Sequence, residues 1–187
     1  AAHSRASLKR AEKTRQQAGT ERNQVLNSVH VLIHVVDVQL AAVPNTQDVR
    51  TRILTGVASE LERLDHARPD RTVRHYLAAT HVLLGDVHSL RSDMEQANEH
   101  LLKAYALNAE LVKDAAPEDH MRCDLADICL RLGNTSINHG DREATSRYLC
   151  EAEALLQNYL LHAPQHHDVF GRLAVRQGVA KTLGGIP

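Results

Sequence analysis

The chain has 187 residues, of which 43% are hydrophobic and only 3% aromatic. It is long enough for one domain with a sizeable core, and that core must be built from aliphatic side chains. The formal net charge of −1 gives no bias towards nucleic acid or a membrane surface. No recurring alternation of β-branched residues predicts strands, so the sequence predicts an all-α fold.

The N-terminal region, residues 1–46, is predicted to hold one long helix over residues 5–42. Its first half is basic and has a weak apolar stripe, so residues 1–24 are expected to project or to pack on something outside the chain. The Val43-Pro44 step ends the helix, because proline disfavours helical geometry in the residue before it. The second half carries an apolar stripe formed by Val25, Val29, Leu32, Val36 and Leu40.

The remainder of the chain, residues 47–187, is predicted to be one continuous array of helices, which makes about seven helices in all. Short loops favour antiparallel neighbours. Asp70 and Asp141 are placed as N-caps, Gly140 as a turn residue and Pro117 as a first-turn proline. The predicted helices cover about 47–67, 71–90, 93–113, 117–138, 142–162 and 168–183.

Two stretches of the chain share one skeleton of small and large residues. Overlaying Leu84-Gly85 on Leu132-Gly133 places Leu101 on Leu149. This spacing predicts two helix pairs that close at glycine and alanine and wedge a leucine between them. The two sets are Leu84, Gly85, Ala97, Leu101 and Ala104, and Leu132, Gly133, Leu149 and Ala152.

This skeleton resembles the tetratricopeptide repeat, in which W-x2-L-G-x2-Y is followed by A-x3-F and a further alanine. The resemblance covers residues 71–162. It is closest over Ala78–Leu111 and weaker from Ala126 to Tyr159. It implies a right-handed α-solenoid of helix pairs, and such arrays usually bind other proteins.

The chain departs from the family pattern at several positions. His81 and Cys129 stand where the family has a large aromatic residue, and His88 and Ser136 stand where it has tyrosine. The proline expected after each second helix is missing, and the Leu-Gly spacing exceeds the family's repeat of about 34 residues. The resemblance therefore implies an array with lengthened helices, in which the two histidines fill space that aromatic rings occupy in the family.

The wider layout resembles the helical region that follows the catalytic domain in some bacterial serine/threonine kinases. The cues are the Leu40-Ala41-Ala42-Val43-Pro44 break and Leu84-Gly85-Asp86-Val87. The resemblance implies a fragment of a larger signalling protein with the kinase machinery upstream. This chain has no glycine-rich phosphate loop and no H-R-D or D-F-G triplet, so it is predicted to be non-catalytic and to need no cofactor.

Three cysteines without a C-x-x-C pair argue for a reducing compartment, and buried thiols are the default expectation. No secretory signal is visible, so a cytoplasmic location is expected. The most apolar stretch, Val25–Val43, contains too many polar residues for a membrane span. The three cysteines are Cys123, Cys129 and Cys150.

By resemblance, the first helix of each pair lines a groove that binds a protein or peptide partner. The set of lysine and asparagine residues that grips a C-terminal carboxylate in chaperone-binding members is not reproduced. No nucleic-acid partner is expected. The matching groove positions are Ala79, Val82, Asp86, Ser89, Leu90, Asp127, Leu130, Asn134, Ile137 and Asn138.

Two other functions stay open at the level of sequence. His30 and His34 are one helical turn apart, and with Asp37 they could hold a metal ion or another ligand in a helical bundle, although no zinc-protease motif accompanies them. Alternatively, residues 5–42 could act as a spacer or drive self-association as a dimer.

Overall fold

The computed structural model of the protein describes residues 17, 19–20, 22–117 and 119–163. Over these residues all regular structure is helical, which confirms the predicted all-α class. The chain divides between Pro44 and Asn45 into two compact units. The predicted last helix, about 168–183, and the basic residues before position 17 lie outside the described residues.

The first unit contains helix α1, which is α-helical over residues 22–34 and continues as a π-helix over Val35–Leu40. The predicted stripe is partly wrong. Val29 and Val36 are buried, but Leu32 is 42% exposed. Val31 and Val38 are also exposed, at 58% and 54%. Apolar residues thus lie on more than one side of α1, so a single stripe with a period of 3.6 residues does not describe it.

The second unit contains five consecutive helices in the described residues. Each helix packs against the next along the series, and α3–α4 and α5–α6 form the most extensive contacts. Short connections explain why neighbours in sequence are neighbours in space. The helices are α2, Gln47–Ala67; α3, Arg71–Leu90; α4, Met94–Lys113; α5, Met121–Asn138; and α6, Arg142–His162.

Three aspartates begin helices of the second unit. The carboxylates of Asp70, Asp93 and Asp141 each accept a hydrogen bond from a backbone N–H of the first turn, at 2.8, 3.4 and 2.9 Å. Such a cap stabilises a helix by about 1 kcal/mol. Gly140 has a φ of 73°, a left-handed conformation that glycine adopts without steric cost. The cap and turn residues predicted from the sequence are therefore in place.

The predicted start of α5 is wrong. The helix begins at Met121, and Pro117 lies before it. The backbone N–H of Asp119 donates to the Ala116 carbonyl at 3.0 Å and closes a turn around the proline. The Asp119 carboxylate then accepts the N–H of Met121 at 3.1 Å. A local turn followed by this aspartate therefore sets the helix start.

The buried face of α2 differs at its N-terminal end from the apolar face that the sequence predicts, which consists of Val49, Ile53, Val57, Leu61 and Leu64. Val49, expected on the apolar face, is 42% exposed, and Arg50 beside it is only 5% exposed. Val57 and Leu61 are buried as predicted. In the helical turn between Arg50 and Val57, Leu54 is fully buried in place of the predicted Ile53. The predicted and observed faces share Val57 and Leu61 and differ only in the first turns of the helix, where tertiary packing determines which residues are buried.

Two glycines each lie against a leucine of the facing helix, as the overlay of the two stretches predicts. A Cβ atom added to Gly85 would lie 2.9 Å from Leu101 Cγ and 3.3 Å from the Ala97 carbonyl oxygen. A Cβ added to Gly133 would lie 3.2 Å from Leu149 Cδ2. Both leucines are 1% exposed. Each glycine therefore lets a second helix bring a leucine against the backbone of the first.

Candidate functional site

Helices α3 and α5 are joined by an ion pair between Asp86 and Arg131. Arg131 Nε donates to Asp86 Oδ1 at 2.9 Å, and its terminal nitrogen donates to Oδ2 at 3.1 Å. The two side chains keep 35% and 38% of their surface exposed. A bidentate pair of this kind fixes geometry, so it holds the first helices of the two pairs in one register.

The predicted groove positions on α3 and α5 are called the α3–α5 face below. They differ in how much surface they offer. Leu130 is only 8% exposed and belongs to the core, and Val82 packs partly buried against that core. Asp86 is occupied by Arg131. These three side chains stabilise the packing of α3 and α5, and they offer little surface for a partner to contact.

The remaining residues of the α3–α5 face are accessible to different degrees. Leu90 is 65% exposed at the end of α3. Asn134 and Asn138 are exposed on α5, and the Asn138 amide lies 3.8 Å from Met94 Sδ. Amide groups on such a surface can satisfy backbone groups of a bound peptide. The partly exposed members are Ala79, Ser89, Asp127 and Ile137.

A second constellation is a stack of three histidine rings between α3 and α4. The His100 ring lies 5.3 Å from the His81 ring and 5.4 Å from the His88 ring, with interplanar angles of 27° and 24°. The Nδ1 atoms of His81 and His100 are 3.1 Å apart. His88 Nδ1 donates to the Asp93 carboxylate at 3.1 Å. The two α3 histidines thus pack against α4, and His100 contacts both of them.

The environment of His81 and His100 disfavours positive charge on their rings. Burial, the neighbouring His100 and Lys103 lower the pKa of His81 to about 4, against a smaller opposing effect of Glu99. Burial, Lys103 and His88 also lower the pKa of His100. His81 is only 4% exposed. At neutral pH the rings of His81 and His100 are therefore uncharged and pack as aromatic groups.

The structure does not bring His30, His34 and Asp37 together as a metal site. Within the described part of the chain, no three histidine, cysteine, aspartate or glutamate side chains are placed to hold one ion. His30, His34 and Asp37 are all exposed on α1. Asp37 lies in the π-helix, whose wider turn changes its angular position relative to His34. The one-turn spacing assumed from the sequence therefore does not hold at this aspartate.

The cysteines are placed as expected at two positions and not at the third. Cys123 and Cys129 are buried, but Cys150 is exposed. Burial raises the pKa of the Cys129 thiol. The thiolate is the reactive form of cysteine, so Cys129 is an inert core residue. The expectation of a third buried thiol was wrong because α6 turns position 150 outward, next to the buried Leu149.

Sequence reasoning missed two residues of these constellations, His100 and Arg131. Neither has a local signature, because their partners lie on other helices. The overlay of the two stretches contains a signal for His100, since it aligns this residue with the aromatic Tyr148. Arg131 aligns with Leu83, and only the tertiary structure reveals its partner.

Comparison with protein-family models, curated proteins and solved structures found no match for this chain. In the part of the chain that the structure describes, no helix combines the length and apolar character needed to cross a membrane.

Proposed function

We propose that this chain is a non-catalytic protein-interaction scaffold built as a tetratricopeptide-like array. The partner is an extended peptide or a helix, and it binds the α3–α5 face. The chain acts in the cytoplasm as part of a larger signalling protein, such as a bacterial serine/threonine kinase, and the sequence layout supports this wider setting.

The observation that carries the proposal is the repeated glycine–leucine contact. Gly85 meets Leu101 in the first pair, and Gly133 meets Leu149 in the second. Extensive packing runs only between consecutive helices among those described. Arrays of this type bury their core between neighbouring units and leave a continuous surface on their first helices. The ion pair of Asp86 with Arg131 supports α3 and α5 as adjacent parts of that surface.

The chemistry of the face suits a polypeptide ligand. Asn134 and Asn138 present amides that both donate and accept hydrogen bonds, as the backbone of an extended peptide requires. Leu90 adds an apolar contact at the edge. A peptide can therefore be held by backbone hydrogen bonds and one apolar anchor.

A display library of random peptides, selected against the purified chain, provides the test. Binders should lose at least tenfold in affinity in the Asn134→Arg variant, because a long charged side chain would cover the face. The matched control is Asn158→Arg, an exposed asparagine on α6, which should leave binding unchanged. Binding that both variants weaken equally, or a selection without binders, would contradict the proposal.

A second function, self-association through α1, is favoured by a different observation. Val31, Leu32 and Val38 are 58%, 42% and 54% exposed on this helix, and exposed aliphatic groups that form one patch mark contact surfaces. Sedimentation should then show a dimer that the double variant Val31→Gln/Val38→Gln converts to monomer. Asn27→Gln, on an exposed position of the same helix, is the control. A wild-type monomer at high concentration would rule this function out.

A further inference from the structure

The histidine stack distinguishes one helix pair from the other. His81, His88 and His100 are packed together between α3 and α4. The overlay that aligns Gly85 with Gly133 replaces all three in the second pair, where the equivalent residues are Cys129, Ser136 and Tyr148. None of these three takes up a proton in mildly acidic solution. The α5–α6 pair therefore serves as an internal reference for the α3–α4 pair.

The geometry of the stack prevents His81 and His100 from both being protonated while they stay in contact. The Nδ1 atoms of His81 and His100 lie 3.1 Å apart, so one must donate and the other must accept. If both rings were imidazolium ions, both nitrogens would carry hydrogen and neither could accept. Full protonation of the pair therefore breaks this contact and places two positive charges on rings whose centres are 5.3 Å apart.

The charged groups around the stack come from three parts of the fold. Lys103 on α4 opposes further positive charge, and Glu99 on the same helix weakly favours it. From α2, Glu62 Oε1 lies 4.0 Å from His81 Nε2, but the Glu62 side chain is 52% exposed. Asp93, at the start of α4, is occupied by His88. Because water screens the exposed carboxylates, they do not compensate for the burial of His81.

We propose that the His81–His88–His100 stack is an acid-sensitive element that loosens the packing of α3 on α4 in mildly acidic solution, while α5 and α6 stay packed. The contact that opens is the Nδ1–Nδ1 hydrogen bond between the two helices, because the opened pair binds a proton that the packed pair excludes. This inference does not depend on the identity of any partner.

The sign of the pH effect follows from His81. Its pKa of about 4 in the folded chain lies below the ordinary value of 6.5. Between these values the unfolded chain binds the proton and the folded chain does not, so stability falls as the pH drops from about 6.5 to 4. From pH 7.5 to pH 5, His81 alone should raise the unfolding equilibrium constant about 30-fold.

Urea unfolding at pH 7.5 and pH 5, with chelator present, tests this expectation. His81→Phe keeps a ring at the site and removes the titrating group. The rise in the unfolding constant between the two pH values should be about 30-fold smaller in this variant than in wild type. The control is His162→Gln, an exposed histidine on α6, whose pH dependence should follow that of wild type. Equal pH dependence of wild type and His81→Phe would overturn the proposal.

Two measurements on the wild-type chain keep the test decisive if His81→Phe does not fold. The His81 ring should titrate by NMR with a midpoint near pH 4, and a midpoint at 6.5 or above would refute the proposal. Hydrogen exchange at pH 5, corrected for intrinsic rates, should show α3 and α4 losing protection before α5 and α6. Equal loss in both pairs would show that the effect is not local.

Discussion

The two helix pairs α3–α4 and α5–α6 have the same framework and different contents. In each pair a glycine on the first helix meets a buried leucine on the second. The second helix of each pair also begins at an aspartate cap, Asp93 or Asp141. Yet the first pair contains the stacked histidines, and the second holds Cys129 and Tyr148 in the corresponding places.

One set of residues therefore determines how closely the two helices of a pair approach, and a different set fills the space between them. Gly85 and Gly133 set how closely the helices approach, because any side chain there would meet a leucine of the facing helix. Large aromatic residues are not needed for that approach. The neighbouring positions are therefore free to carry groups with other properties, such as the stacked histidine rings of the first pair.

The largest expected effect comes from filling the two glycine positions. Gly85→Leu should lower the free energy of unfolding by about 3 kcal/mol or more, and Gly133→Leu by slightly less. The order follows from the shortest distances of 2.9 and 3.2 Å that an added Cβ would meet. Urea denaturation measures both values.

Gly56→Leu on α2 is the control for these variants, because a Cβ there meets nothing within 4 Å. It should leave stability unchanged or raise it by about 0.5 kcal/mol, since leucine favours a helix more than glycine does. If Gly85→Leu unfolds within error of the parent chain, the two pairs do not share the framework.

A smaller effect should appear at the turns that join the helices of each pair. Ser92 and Gly140 occupy equivalent positions and have φ values of 61° and 73°. A residue with a Cβ pays a steric cost in this conformation that glycine avoids. Gly140→Ser should therefore lower the unfolding free energy by about 1 kcal/mol, and Ser92→Gly should raise it by about 0.5 kcal/mol. Thermal melts that shift in the same direction for both variants would contradict this.

The smallest expected effects are at Asp86 and Asn134, which align on the first helices of the two pairs. From the sequence, neither side chain is expected to contribute to stability. The ion pair with Arg131 changes this for Asp86, whose replacement by alanine should cost up to about 1 kcal/mol. Asn134→Ala should stay within about 0.5 kcal/mol.

The double variant Asp86→Ala/Asn134→Ala should also weaken peptide binding to the α3–α5 face. Calorimetry with a selected peptide and urea denaturation of the same protein separate the two effects. A loss of several kcal/mol in stability with binding intact would move the binding surface elsewhere on the molecule.

Local chemistry explains why much of the helical framework could be predicted from sequence. Asp70 and Asp141 hydrogen-bond groups a few residues away, and Gly140 needs only its own φ, so spacing alone reveals their roles. Pro117 was misplaced because the hydrogen bond from the Asp119 N–H to the Ala116 carbonyl closes a separate turn there, and a sequence pattern does not distinguish such a turn from the first turn of a helix. The π-helix at Val35–Leu40 leaves no trace in a hydrophobic pattern with a period of 3.6 residues.

The candidate sites could be predicted only in part, because their contacts are long-range. His81 and His88 are seven residues apart on α3, so the sequence alone places them on one helix face. The stacking partner His100 comes from α4 and could not be placed by spacing on α3. The same holds for Arg131, which engages Asp86 across two helices. The burial of Leu130 likewise depends on packing in the core and not on its position in a pattern.

The amide of Asn108 sets a limit on how strongly the first pair is held. This α4 residue is 3% exposed, and its Oδ1 has no hydrogen-bond partner within the described residues. At the equivalent position α6 has Leu156, which is fully buried. An unsatisfied buried carbonyl group costs about 1–3 kcal/mol. The buried amide therefore keeps the melting temperature of the chain below the value that its packing allows, and Asn108→Leu should raise it by several degrees.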